Sequence, residues 1–112
     1  MDTTDFALTV TSGPNHLLVG VAGELDDYTA PALRDRVRKE LEGRTGVNVT
    51  LDLGNMTFID STGLGVLVGV RRRVREGGGA LELRGATPAT TKVLEITGLS
   101  KVFELAEPGG AG

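Results

Sequence analysis

An α/β domain built on a mostly parallel, mixed sheet is the fold that this sequence of 112 residues predicts. Three observations lead there. Aromatic bulk is limited to Tyr28 and three phenylalanines, so the core must come from Val, Leu, Ile and Ala. Such a core suits helix-covered parallel strands better than a β-sandwich. Stretches of strand period and helical period also alternate along the chain instead of gathering in separate halves. Glycines and prolines mark the joints between them. The expected order is β-β-α-β-α-β-α in a single domain spanning 1–112, with no repeat or linker and a loose tail at about 107–112.

Each element has its own warrant. The runs Phe6–Val10 and His16–Gly23 flank a Ser-Gly-Pro-Asn turn and read as an antiparallel hairpin. In the following stretch Ala32, Leu33, Val37 and Leu41 recur at helical spacing, with Arg34, Asp35, Arg38, Lys39 and Glu42 facing out. Thr29 is placed to cap that helix with its hydroxyl, Pro31 fits the first turn, and Gly43 stops it. Val47–Gly54 alternates apolar and polar and reads as a strand. After Ser61, the positions Leu64, Leu67, Val68 and Val74 share a helical face despite Gly65 and Gly69. Interior glycines cost about 1 kcal/mol each relative to Ala, which predicts close packing of this helix against a neighbour. Gly77–Gly79 breaks the pattern, Ala80–Gly85 is a strand, and a third helix has Val93, Leu94 and Ile96 inward with Gly98 as its stop. Lys101–Leu105 reads as a short last strand or turn.

Charge and composition exclude several functions. The net charge of −3 is the wrong sign for phosphate-contacting nucleic-acid binders. With no cysteine there are no disulfides, thiol chemistry or thiolate metal sites. The acidic start lacks a signal-peptide pattern, and no apolar run approaches the roughly 20 residues of a membrane helix. A cytoplasmic protein that touches neither membrane nor nucleic acid is expected. The basic run Arg71–Arg75 falls in the last turns of a helix, where cations complement the dipole. It reads as a solvated face or, alternatively, as part of an acidic partner's footprint.

The chemistry concentrates at TFIDSTGLGV, residues 57–66, where a strand hands over to a helix at the end of the sheet that α/β proteins use for sites. Ser61 suits the N-cap position and keeps an exposed hydroxyl there. As a nucleophile it needs a base, and His16 is the single histidine; the elbow glycine before it is replaced by Ile59. No lysine lies between Asp52 and Lys92, so a phosphate loop is missing, and Asp60 opposes an anion at the helix start. Asp26, Asp27, Asp52 and Asp60 lack the spacing of a calcium loop, so no metal and no cofactor are expected.

Three segments carry a resemblance: GELDDYTAPAL (Gly23–Leu33), NMTFIDSTGLGVLVGVRRRVREGGGALEL (Asn55–Leu83) and VLEITGLSKVF (Val93–Phe103). Together they are similar to the bacterial anti-sigma factor antagonists of the STAS class, with coverage from Phe6 to Leu105. The resemblance implies a single STAS-like domain with helices packed on its sheet and no enzymatic activity. It implies that Ser61 is phosphorylated by the anti-sigma factor, itself a serine/threonine kinase, and that a serine phosphatase resets the protein. Unphosphorylated protein binds the anti-sigma factor and frees the sigma factor. By the same matching Asp26 and Asp60 help engage the kinase, while Thr62, Gly63 and Leu64 form the adjoining part of the partner-binding surface. The alternatives are a STAS accessory or scaffold subunit of a membrane transporter or signalling complex and, from a different class, a small hydrolase or nucleotide-handling enzyme, with His16 as its test residue.

Overall fold

The strands stand in the sheet in the order in which the chain makes them. In the computed structural model, which describes residues 6–106, the elements are β1 (Ala7–Ser12), β2 (His16–Leu25), α1 (Ala30–Leu41), β3 (Asn48–Ile59), α2 (Ser61–Glu76), β4 (Leu81–Arg84), α3 (Pro88–Ile96), a 3₁₀ turn at Leu99–Lys101 and β5 (Glu104–Ala106). The sheet order is β1-β2-β3-β4-β5. The β1/β2 hairpin is antiparallel, and every later pair is parallel. Parallel neighbours need a crossover, and α1, α2 and α3 supply the three. The predicted α/β class and element order hold, with the last segment resolved into a turn followed by a strand. The tail expected at about 107–112 lies outside the described residues.

The core is aliphatic, as the composition required. Leu17, Val19, Val21 and Leu25 of β2 alternate into it, joined by Val49, Leu51 and Leu53 of β3 and Leu81 and Leu83 of β4. Leu33 and Val37 of α1, Leu67, Val70 and Val74 of α2, and Leu94 of α3 close over them in one cluster. The other face of the sheet is open and mostly polar. There Thr9, Gly20 and Asp52 stand in register, and His16 Nε2 lies 3.0 Å from Thr50 Oγ1.

Several expectations are corrected. On α1 the inward stripe is Ala30, Leu33, Val37 and Leu41, with spacings of three and four, while Ala32 is exposed. Ile96 is 74% exposed. Two residues of helix turn it about 200° from Leu94, so the two cannot share an inward face; Thr90 and Leu94 are the buried pair. On α2, Leu64 and Val68 are half-buried flanks, and the buried line is Gly63, Leu67, Val70 and Val74. Gly65 and Gly69 do not mark close packing: a Cβ at either would meet nothing within 4 Å.

The largest difference is the continuity of β3: the alternation read as far as Gly54 and the strand end that hands over to the helix after Ile59 are one strand, Asn48–Ile59. Its pairing with β2 shifts twice, between Gly20 and Ala22 and again between Gly23 and Glu24. Each shift takes one extra residue from β3, so its buried positions change from every second residue to every third: Leu53, Met56, Ile59. A bulge bends its strand and re-aims side chains. Gly23, between the two shifts, has φ +88°, which glycine adopts without the penalty that a Cβ imposes. The bulged end of β3 delivers the chain to the start of α2.

Candidate functional site

Two strand ends meet here. β2 ends at Leu25 and β3 at Ile59, residues paired in register. Their exits, Asp26–Thr29 and Asp60–Gly63, lie against each other at the carboxyl edge of the parallel strands.

Asp60 joins them. It is the last extended residue before α2, with φ −112° and ψ −173°. Its Oδ1 accepts the Gly63 amide at 2.9 Å, and its Oδ2 accepts the Asp27 amide at 3.2 Å. Its own amide donates to the Leu25 carbonyl at 3.2 Å. One carboxylate therefore caps a helix and holds the neighbouring loop. The predicted cap at Ser61 is thus displaced by one residue. Asp60 caps α2, and Ser61 is the first helical residue, exposed, with Thr62 exposed beside it. The extended backbone ends at Asp60, and a carboxylate there reaches the third helical amide as a serine cap does.

Gly63 is buried, and a Cβ on it would overlap the Leu25 carbonyl oxygen and come 2.9 Å from Ile59 Cγ1. Its part in the fold is to let α2 approach the β2 exit. Leu64 is half-buried behind it.

Asp26 organises the other exit. Its Oδ1 accepts the Tyr28 amide at 2.9 Å and the Thr29 amide at 3.0 Å. The Thr29 amide, with help from Tyr28 and the Thr29 hydroxyl, holds the Asp26 carboxyl below its ordinary pKa of 3.8 against a smaller opposing effect of desolvation. Thr29 occupies the predicted position before α1 but does not cap the helix with its side chain. Its hydroxyl donates to the Glu24 carbonyl at 2.6 Å and accepts the Asp26 amide at 3.0 Å.

The loop so fixed presents Tyr28, 90% exposed, and the neighbouring end of β3 presents Phe58, 50% exposed. In the sequence Phe58 reads as an apolar strand end, and Tyr28 is given no role. The available signal for Tyr28 was an aromatic set among polar loop residues, off every apolar stripe.

The other candidates are elsewhere. His16 begins β2, nine residues from the strand end that faces the site, which is about 30 Å at strand rise. It cannot serve Ser61 as a base. Asp52 lies on the open sheet face, where its Oδ1 accepts the Gly54 amide at 2.9 Å. Both oxygens of Asp60 and Oδ1 of Asp26 are taken up by backbone amides. The site is an acidic rim beside the exposed Ser61 and Thr62, with no histidine near Ser61 among the described residues.

Comparison with known proteins bears on the family and the fold. Residues 7–108 match the STAS domain family. The chain is 33% identical over 103 residues to an anti-sigma-B factor antagonist of Bacillus subtilis, covering 92% of this chain and 93% of that one. It is 36% identical over 91 residues to the anti-sigma-B factor antagonist of Listeria monocytogenes, covering 81% and 79%. Among solved structures it resembles an anti-sigma factor antagonist from Mycobacterium paratuberculosis, with a TM-score of 0.79 and 27% identity over 93% of this chain and 87% of that one.

Proposed function

The chain belongs to the STAS domain family, and on that premise we propose that it is an anti-sigma factor antagonist switched at Ser61. In this reading the unphosphorylated form binds an anti-sigma factor that is a serine/threonine kinase, and the sigma factor is released. The kinase transfers the γ-phosphoryl group of ATP to Ser61 Oγ; the hydroxyl proton passes to the kinase, and ADP leaves. A serine phosphatase hydrolyses the ester and restores the binding form. All of this takes place in the cytoplasm, and the chain itself performs no catalysis. Among the described residues no helix is long and apolar enough to cross a membrane.

The observation that carries the reading is Ser61, exposed at the first position of α2 because Asp60 does the capping. Phosphorylation adds about −1.5 to −2 charges. At a helix start that charge is favourable by only about 0.3–1 kcal/mol, so the domain keeps its fold. At the interface the same dianion stands on a rim that already carries Asp26, Asp27 and Asp60. Weakening a complex 100-fold takes about 2.7 kcal/mol, which like-charge repulsion and desolvation at a contact can supply. The switch acts at the contact surface, without refolding.

A kinase assay tests it. The protein and its Ser61→Ala variant are incubated with ATP and each anti-sigma kinase of the source organism, and read by intact mass. One added phosphate on the wild type and none on the variant is the expected result. If no kinase in the panel binds or modifies the protein, the reading fails and the scaffold alternative takes its place.

A further inference from the structure

A second feature lies on the helical side, apart from Ser61. Between α1 and α2 runs a groove of about 250 Å³. Val37 and Val70, 1% and 2% exposed, close its base beneath the surface, and what it presents to solvent is the exposed backbone at Gly69 and the arginines around it. Arg34 and Arg38 rise on the α1 side and Arg72 and Arg73 on the α2 side, with Glu76 the one acid among the lining residues. Four guanidinium groups are gathered here on a chain whose net charge is −3. Among the described residues the ion pairs are Arg34–Asp35 and Arg36–Glu40, both at the surface. Arg38, Arg72 and Arg73 pair with no described carboxylate.

We infer that the α1–α2 groove docks an acidic helix of a partner protein, which lies over the bare backbone at Gly69 and whose carboxylates meet the arginines of both rims. Charge complementarity selects this occupant. Arginine presents a planar fork that pairs with carboxylates in two hydrogen bonds, and a furrow between two helices is shaped to take the side-chain ridge of a third. A small free anion fits less well, because the arginines are divided between the two walls of the groove. Gly69 sharpens the case as part of the lining. A Cβ there would meet nothing within 4 Å, so the chain's own packing does not require glycine, and a bulky side chain at this lining position would narrow the groove. The groove begins about 12 Å along α2 from Ser61, eight residues at helical rise.

The experiment needs no kinase and so fails independently of the switch proposed above. Protein labelled with ¹⁵N is titrated with a synthetic helical peptide rich in Glu, with the same peptide carrying Lys in place of Glu, and with ATP. The acidic peptide is expected to shift the amides of Gly69, Val70, Arg72 and Arg73, with affinity that falls as salt rises. Arg38→Glu and Arg72→Glu are each expected to weaken it about tenfold. Gly69→Leu is expected to abolish binding while the protein unfolds at the wild-type denaturant midpoint or above it. The inference is overturned if the acidic peptide leaves those amides unmoved, if the charge reversals leave its affinity unchanged, or if the lysine peptide binds as well. Stronger shifts of the same amides by ATP would overturn it in favour of a nucleotide site.

Discussion

α2 and α3 begin alike and end up with different work. Both leave the carboxyl end of a parallel strand, and both are capped by a side chain on the last extended residue. At α3 the Thr87 hydroxyl accepts the Thr90 amide at 3.2 Å, Pro88 fills the first helical position, and Thr90 is buried. That start satisfies its own helix and nothing else. At α2 the Asp60 carboxylate has a second oxygen, which goes to the Asp27 amide, and the first helical position holds a serine. A hydroxyl cap finishes one helix; a carboxylate cap ties two segments together and leaves the next residue free to react. The difference teaches that the site is made by what the cap residue has left over.

Gly63→Val should break the comparison most severely. It forces a side chain into the Leu25 carbonyl, and we expect a loss of ~3 kcal/mol in urea unfolding. Gly65→Ala, two residues on and facing open space, should be neutral or stabilising by up to ~1 kcal/mol. Equal losses at the two glycines would mean that α2 does not approach β2 as described.

Next come the caps. Asp60→Ala is expected to cost ~2 kcal/mol, since it releases both a helix amide and the Asp27 amide, against ~1 kcal/mol for Thr87→Ala. Amide exchange at Asp27 should rise only in the first variant. Comparable costs and an unchanged Asp27 would reduce Asp60 to an ordinary cap.

A smaller effect is expected with pH. The folded-state pKa of Asp26 is lowered, so its contribution is present above the ordinary value of 3.8 and is lost as pH falls through the folded value. The stability difference between wild type and Asp26→Asn should be constant above about pH 5 and narrow below that. A difference that widens on acidification would contradict the hydrogen bonding described for this loop.

Least of all, Ser61→Ala should shift stability by no more than ~0.5 kcal/mol, as exposed positions do. A cost near 1 kcal/mol would return the capping role to Ser61.

Much of the fold was legible because period and punctuation agreed, as they did for α1 from Pro31 to Gly43 and for the clean alternation of Val49, Leu51 and Leu53. The failures have separate causes. The continuity of β3 hid because two bulges turned its inward spacing from two residues to three, a period that belongs to no regular element. The cap was ambiguous because Asp60 and Ser61 are both good cap residues, and the backbone angle that decides between them is not written in the side chains. Ile96 was misplaced by apolar character alone, although 3.6-residue geometry already set it opposite Leu94. Of the site, the segment 57–66 and the acidic residues at its rim were visible, while Tyr28 needed the loop geometry to stand out.

The sheet order β1-β2-β3-β4-β5 bears on how the protein is made. Every strand pairs with the one synthesised just before it, so no early strand waits for a late one, although each parallel pair must close over a helical crossover, as His16 with Asn48 and Val49 with Leu81. The loop, the cap, the serine and the glycine that seats α2 all fall between Glu24 and Leu64. A nascent chain emerging from the ribosome therefore has every part of the proposed switch in hand before β4 exists. The three-residue strand β5 is added last, at the far edge, and its fraying would leave the Ser61 junction closed.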